Sequence, residues 1–176
     1  MYHSTWFCFY VAMAEHWHQV FWHDLMKNIV FICTANICRS PMAQKLFEKK
    51  LAEESLLEQW RVSSLGTWAI EGLSADPKAV RVMREWNIDL SRHRSRIVNW
   101  QTMSSNDLIL VMESKHKEAL QYEFPMKSEK IFMLSEMVGA FFDIPDPYRK
   151  SLAEFRSVAN QINTILTDGF EKILTL

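Results

Sequence analysis

Five residues lie between Cys33 and Arg39 in the run Cys33-Thr34-Ala35-Asn36-Ile37-Cys38-Arg39, with an apolar stretch before them and Ser40-Pro41 and a helical pattern after. A thiol and a guanidinium in that order suit a nucleophile at the base of an anion cradle. Asn28-Ile29-Val30-Phe31-Ile32 is β-branched and aromatic, too short for a helix, and continuous enough for a strand buried on both faces. Ser40 offers an N-cap hydroxyl, Pro41 suits the first helical position, and Met42 to Phe47 are good helix formers. Strand, loop and helix N-terminus together turn backbone N–H groups and the positive helix end towards a tetrahedral oxyanion such as phosphate. Arg39 can grip two phosphate oxygens at once, as a lysine could not. The same field favours the thiolate of Cys33, which is the nucleophilic form. A cysteine beside an apolar strand is more often a small buried hydrophobe. Strand context, the Ser-Pro helix start and a second cysteine inside the loop together tip the reading towards chemistry.

The run Ile32 to Ala43 resembles the phosphate loop of the low-molecular-weight protein tyrosine phosphatases. It does not resemble the classical or dual-specificity phosphatases, because Ile32 rather than a histidine precedes Cys33 and the loop opens the domain. The likeness continues through Ser64 to Ala69, Ala75-Asp76-Pro77, Ile88 to Arg96 and Asp107 to Met112, and closes at Pro145-Asp146-Pro147-Tyr148. It implies an enzyme that hydrolyses phosphotyrosine and small aryl phosphates with no metal and no cofactor. Cys33 would attack phosphorus, Arg39 and the loop amides of Thr34, Ala35, Asn36, Ile37 and Cys38 would hold the oxygens, and Asp146 would be the general acid and then the base. Read without the family, Asp146 is equally an ordinary turn initiator beside Pro147. Asp143 is a fallback acid, though a solvated loop carboxylate is its simpler description.

The resemblance assigns supporting roles residue by residue. Asn36 would pin the cradle, Ser40 would lie near the thiolate, and Ser64 and His93 would hold Asn36. Trp68 and Tyr148 would sandwich a phenyl ring. Family members acting on phosphoarginine carry Thr at the position of Ile37, so the isoleucine favours tyrosine phosphate. His116, in Lys115-His116-Lys117, reads as exposed surface. There are two departures from the family pattern. Ala35 stands where the loop commonly has Gly, so it must take negative φ or store strain. Leu65 stands where a small residue is usual and would crowd the groups around the cradle.

These residues need a scaffold, and 176 residues with 48% hydrophobic content suffice for one domain with a sizeable core. The patterning predicts strands at 28–33, 60–65, 107–112 and 130–134, and helices at 41–54, 77–86, a short one from Ser91, and 114–121. A long final helix is marked by the stripe Leu152, Phe155, Ala159, Ile162, Leu166, Phe170 and Ile173. That alternation describes an α/β three-layer sandwich with a four-stranded parallel sheet and helices on both faces, the phosphate loop following the first strand.

A net charge of −1 carries no nucleic-acid footprint, and no membrane partner is implied. Three cysteines, Cys8, Cys33 and Cys38, make no disulfide framework and point to the cytoplasm. Residues 1–26 hold Trp6, Trp17 and Trp22, four of the six histidines and no Lys or Arg. They are expected to be an atypical extension, disordered or upstream of a natural start at Met26-Lys27, with the domain covering 27–176. The rivals are an arsenate reductase, which needs further thiols although none follows Cys38, a phosphoarginine phosphatase, and a non-catalytic phosphate-binding module. Cys38, close to Cys33 in the loop, is expected to form a protective disulfide with it.

Overall fold

The computed structural model describes residues 26–176, so the readings of the extension up to residue 25 lie outside the described residues. The apolar run before the cysteine loop forms strand β1 (Lys27–Cys33). Strands β2 (Trp60–Gly66) and β3 (Leu108–Val111) flank it, and β4 (Ile131–Met133) lies outside β3. The order is β2-β1-β3-β4 and every pair is parallel.

Two-sided burial of β1 explains its unbroken apolar run. Ile29, Phe31 and Cys33 enter a core built with helices α1 (Arg39–Glu53), α2 (Pro77–Glu85), α5 (Leu152–Asp168) and α6 (Phe170–Thr175). Val30 and Ile32 enter a second core with Leu65, Ile109 and Val111, closed by Met103 of α3 (Trp100–Ser104) and Leu120 of α4 (Ser114–Glu123). Phe47 fixes α1 on the sheet, with edge contacts to Phe31 and Trp60 at centroid distances of 5.8 and 5.9 Å. Since the chain runs from β1 to β2 on one side and then crosses to β3 on the other, a crevice opens at the carboxyl end of β1, where open α/β sheets bind ligands. Among the described residues no helix is long and apolar enough to cross a membrane.

Three expectations are corrected. Ser40 does not cap α1; the helix begins at Arg39 and its N-cap is Cys38, without a side-chain bond, while the Ser40 hydroxyl turns down to the cradle. No helix starts at Ser91, because the backbone there pairs elsewhere: the Ser95 N–H donates to Leu73 O, the Gly66 N–H to Arg96 O and the Val98 N–H to Gly66 O. A short helix forms instead at Trp100–Ser104, capped reciprocally by Asn99 and Thr102. The final stripe is buried as expected but breaks at Gly169, where a Cβ would lie 2.7 Å from Met137 Cβ and 2.9 Å from Ile165 O.

Gly66 ends β2 against the loop after β1: a Cβ there would sit 2.6 Å from Thr34 O and 2.9 Å from Asn36 N, both backbone atoms. Gly66→Ala is therefore expected to destabilise the fold by about 1–3 kcal/mol through overpacking. Urea denaturation checks it, and an unchanged midpoint would show that the loop yields freely.

Candidate functional site

The loop from Cys33 to Arg39 is shaped by where its carbonyls point. Cys33 O accepts from the Thr67 N–H at 3.0 Å, Thr34 O from the Trp68 N–H at 2.8 Å, and Ile37 O from the Asp76 N–H at 2.9 Å. Asn36 O accepts from His93 Nε2 at 2.7 Å, which fixes that ring nitrogen as the protonated one. In a trans peptide the C=O and the following N–H point opposite ways. With these carbonyls bound outward, the amides of Thr34, Ala35, Ile37 and Cys38 face the pocket, above the N-terminus of α1.

Asn36 carries the left-handed residue of the cradle, at φ 55°, and Ala35 keeps negative φ. The Asn36 side chain donates from Nδ2 to Ser40 Oγ at 2.9 Å and accepts at Oδ1 from the Arg96 N–H at 2.9 Å. Ser40 Oγ is 3.1 Å from Cys33 Sγ and 3.2 Å from Leu65 O. Its single hydrogen thus has two acceptors: a thiolate takes it, whereas a thiol would leave it to Leu65.

Ser64 does not hold Asn36. Its hydroxyl donates to Gln44 Oε1 at 2.7 Å, because Ser64 pairs with Phe31, two residues short of the Cys33 to Gly66 register. His93 acts on the Asn36 carbonyl and not on its amide; burial lowers its pKa, partly offset by that bond. Leu65 crowds nothing near the cradle, since its side chain packs in the core on the α4 side.

Arg39, fully buried, is held by Glu113 and Ile144 on one edge and turns the other towards Asp146 and the pocket. Nη1 donates to Glu113 Oε1 at 2.5 Å and to Ile144 O at 2.9 Å. Nη2 meets Asp146 Oδ2 at 2.9 Å and Thr34 Oγ1 at 3.5 Å, and the buried Nε has no hydrogen-bond partner among the described residues. The Nε and Nη2 edge has the geometry to fork onto an oxyanion. Burial would raise the Glu113 carboxyl, but hydrogen bonds from Lys115 and Arg39 outweigh it and hold the group below its usual range.

His116 is not exposed surface: it is 4% accessible, and its Nε2 lies 2.9 Å from Thr34 Oγ1 and 3.8 Å from Glu113 Oε1. It is the third residue of α4, on the turn facing the loop. His116 Nε2 and Thr34 Oγ1 share a hydrogen bond, and the buried Nδ1 has no partner among the described residues. Sequence reasoning missed Glu113 as well, although it follows β3 at the sheet's carboxyl end, where ligand groups gather.

One pocket of about 300 Å³ gathers Cys33, Arg39, Asp146, Trp68 and Tyr148, with Thr34, Ala35, Ile37 and Cys38 of the loop. Asp146 is 46% exposed, and its Oδ1 accepts from the Tyr148 N–H at 3.1 Å. Asp143 instead accepts from the Ser114 N–H at 2.7 Å, at the start of α4. Burial, with Asp76 adding to it, pushes the Cys38 thiol far up and keeps it protonated. No cluster of metal-ligating side chains occurs among the described residues.

Residues 28–174 match the model of the family described as low molecular weight phosphotyrosine protein phosphatase. The probable low molecular weight protein-tyrosine-phosphatase EpsP of Ralstonia nicotianae is 41% identical over 138 residues, covering 78% of this chain and 90% of that one. A protein-arginine-phosphatase of Bacillus subtilis is 36% identical over 140 residues, covering 79% and 91%. The crystal structure of a low molecular weight protein tyrosine phosphatase from T. tengcongensis superposes with a TM-score of 0.78 at 35% identity, over 83% of this chain and 99% of that one.

Burial is the main reason the His116 pKa falls from 6.5 to about 4, with Glu113 pulling the other way and Arg39 lowering it again. The unfolded chain binds this proton near pH 6.5 and the folded one only near pH 4, so the native state gains stability as pH rises through that window. The gain is on the order of 3 kcal/mol. His116→Gln should flatten the rise, read from denaturation midpoints at pH 4.5 and 7; a slope equal to that of the parent would refute the assignment.

Proposed function

Because the chain belongs to the low molecular weight phosphotyrosine protein phosphatase family, we propose that it is the tyrosine-specific kind of phosphatase, acting on phosphotyrosine in proteins through a phosphocysteine. The observation that carries this reading is the single pocket shared by Cys33, Arg39, Asp146 and two aromatic walls.

In the first step the Cys33 thiolate attacks phosphorus; the S–P bond forms as the P–O bond to the ring breaks, and neutral Asp146 gives its proton to the departing oxygen. In the second, the Asp146 carboxylate takes a proton from water, the water oxygen bonds to phosphorus, and the S–P electron pair returns to sulfur. Arg39 and the inward amides stabilise the equatorial oxygens in both steps. Ser40 Oγ, 3.1 Å from Sγ, donates to the sulfur whenever it is anionic. Trp68 and Tyr148 flank a flat phenyl ring, and Ile37 at the pocket wall supports tyrosine over arginine. The 36% likeness to a protein-arginine-phosphatase makes phosphoarginine the second reading to compare directly. Two reduced cysteines in one loop suit a cytoplasmic site of action.

Cys33→Ser is expected to abolish turnover, and Asp146→Asn to lower kcat about 10²–10⁴-fold on phenyl phosphate, with less effect on an aryl phosphate whose leaving group needs no proton. Rapid quench with labelled phenyl phosphate should trap the phosphocysteine. Faster turnover of phosphoarginine than phosphotyrosine peptides would overturn the tyrosine assignment.

Cys38 is proposed to protect Cys33 as a reversible disulfide, both cysteines being free and lining the same pocket. Peroxide oxidises the Cys33 sulfur to the sulfenic acid, and the Cys38 sulfur bonds to it as the sulfenic hydroxyl and the Cys38 proton leave together as water. Peroxide inactivation of Cys38→Ser should resist thiol reductants; full recovery would discard the role.

A further inference from the structure

The segment between β2 and α2 is bonded to the cradle at both ends. It starts with Thr67 and Trp68 donating to Cys33 O and Thr34 O, and it ends with Asp76 donating to Ile37 O. Between these anchors the chain folds around Ser95, a side chain 1% exposed. Ser95 Oγ donates to Ile70 O at 2.5 Å and accepts from the Leu73 N–H at 2.9 Å. The Ser95 N–H donates to Leu73 O at 2.8 Å, and its carbonyl accepts from the Gly72 N–H at 2.9 Å. Four bonds to one residue clamp the turn at a fixed position relative to the cradle.

On that turn stand two large aliphatic side chains, Ile70 at 71% and Leu73 at 44% exposure. Both line the pocket that holds Cys33, beside Trp68. Neither belongs to the two hydrophobic cores. Apolar side chains carried on a clamped turn at the mouth of a pocket bind with less loss of conformational freedom than those on a free loop.

We propose that Ile70 and Leu73 form a subsite for an apolar side chain immediately next to the phosphotyrosine in the substrate chain. The inference rests on the phosphotyrosine reading above, and deepens it. With phosphorus at Cys33 and the ring between Trp68 and Tyr148, the substrate backbone emerges at the pocket mouth, on the rim that Ile70 and Leu73 share. Successive Cα atoms are about 3.8 Å apart, so the adjoining residue is the one within reach. An acidic or amide side chain placed there would lose water without gaining a hydrogen bond from either aliphatic group.

The test compares phosphotyrosine peptides carrying Leu, Ser or Asp directly before or after the phosphotyrosine, with phenyl phosphate gauging the cradle itself. The Leu peptide on the preferred side should exceed the Ser peptide about 10-fold in kcat/KM, the gain expected from burying part of one aliphatic side chain. Ile70→Ser with Leu73→Ser should bring that ratio to about one, and Ser95→Ala, which loosens the turn, should lower it part of the way. Binding of the same peptides to Cys33→Ser reads the subsite without turnover. Equal kcat/KM for Leu and Ser peptides, with phenyl phosphate and phosphotyrosine turned over normally, would overturn the subsite and leave the tyrosine reading standing. Failure to bind or hydrolyse any phosphotyrosine peptide, alongside phosphoarginine turnover, would remove both.

Discussion

Amides that converge on one point repel one another, and a loop that gathers them holds only if the opposed carbonyls are bound on the far side. Here those bonds come from Thr67 and Trp68 after β2, from Asp76 at the start of α2, and from His93. Each contributes about 1 kcal/mol net, and more would be lost if a buried carbonyl were left bare. The cradle is thus imposed by three neighbouring segments more than by its own sequence. Gly66 belongs to the same constraint, because only a residue without a side chain lets β2 end so close to Thr34 and Asn36.

Arg39 extends that constraint into charge. A buried guanidinium is tolerable only when paired, and Glu113 and the Ile144 carbonyl pair it on the edge turned from the pocket. The pocket-facing edge is then aimed by the closed one. Asp146 meets Nη2 on the pocket side, so the group proposed to carry the proton is positioned by the group proposed to grip the phosphate. Glu113 already balances the guanidinium. The negative charge of a bound phosphate and thiolate would then be shared between the pocket-facing edge of Arg39, the inward amides and the helix end, which accounts for so many backbone groups converging.

How much of this the sequence revealed follows from how local each signal is. Strand β1, the cysteine loop and α1 are contiguous, and their order and burial are legible from periodicity and residue type. The parallel four-stranded sheet followed from the alternation of apolar runs. What failed depended on contacts between distant segments. The family resemblance assigns Ser64 to Asn36, but strand register turns it to Gln44. His116 reads as surface between two lysines, yet the first turn of α4 packs it on Thr34. The helix expected from Ser91 gives way to a backbone that serves Leu73, Gly66 and Asn36 instead. No local pattern announces a carbonyl such as that of Ile144, which acts without its side chain.

The absence of glycine from the cradle has the same origin. A loop this tight needs one residue in the left-handed region, where glycine costs least and asparagine is the next most tolerant. Glycine at position 36 would satisfy φ but leave the Arg96 amide and the Ser40 hydroxyl without the partners that the Asn36 side chain supplies. Each such loss in a buried site amounts to about 1–3 kcal/mol, comparable to the strain of a non-glycine residue at positive φ. Placing the strained conformation on Asn36 therefore stabilises two groups around the sulfur at once. It also frees Ala35 to sit at negative φ, and the loop dispenses with glycine altogether.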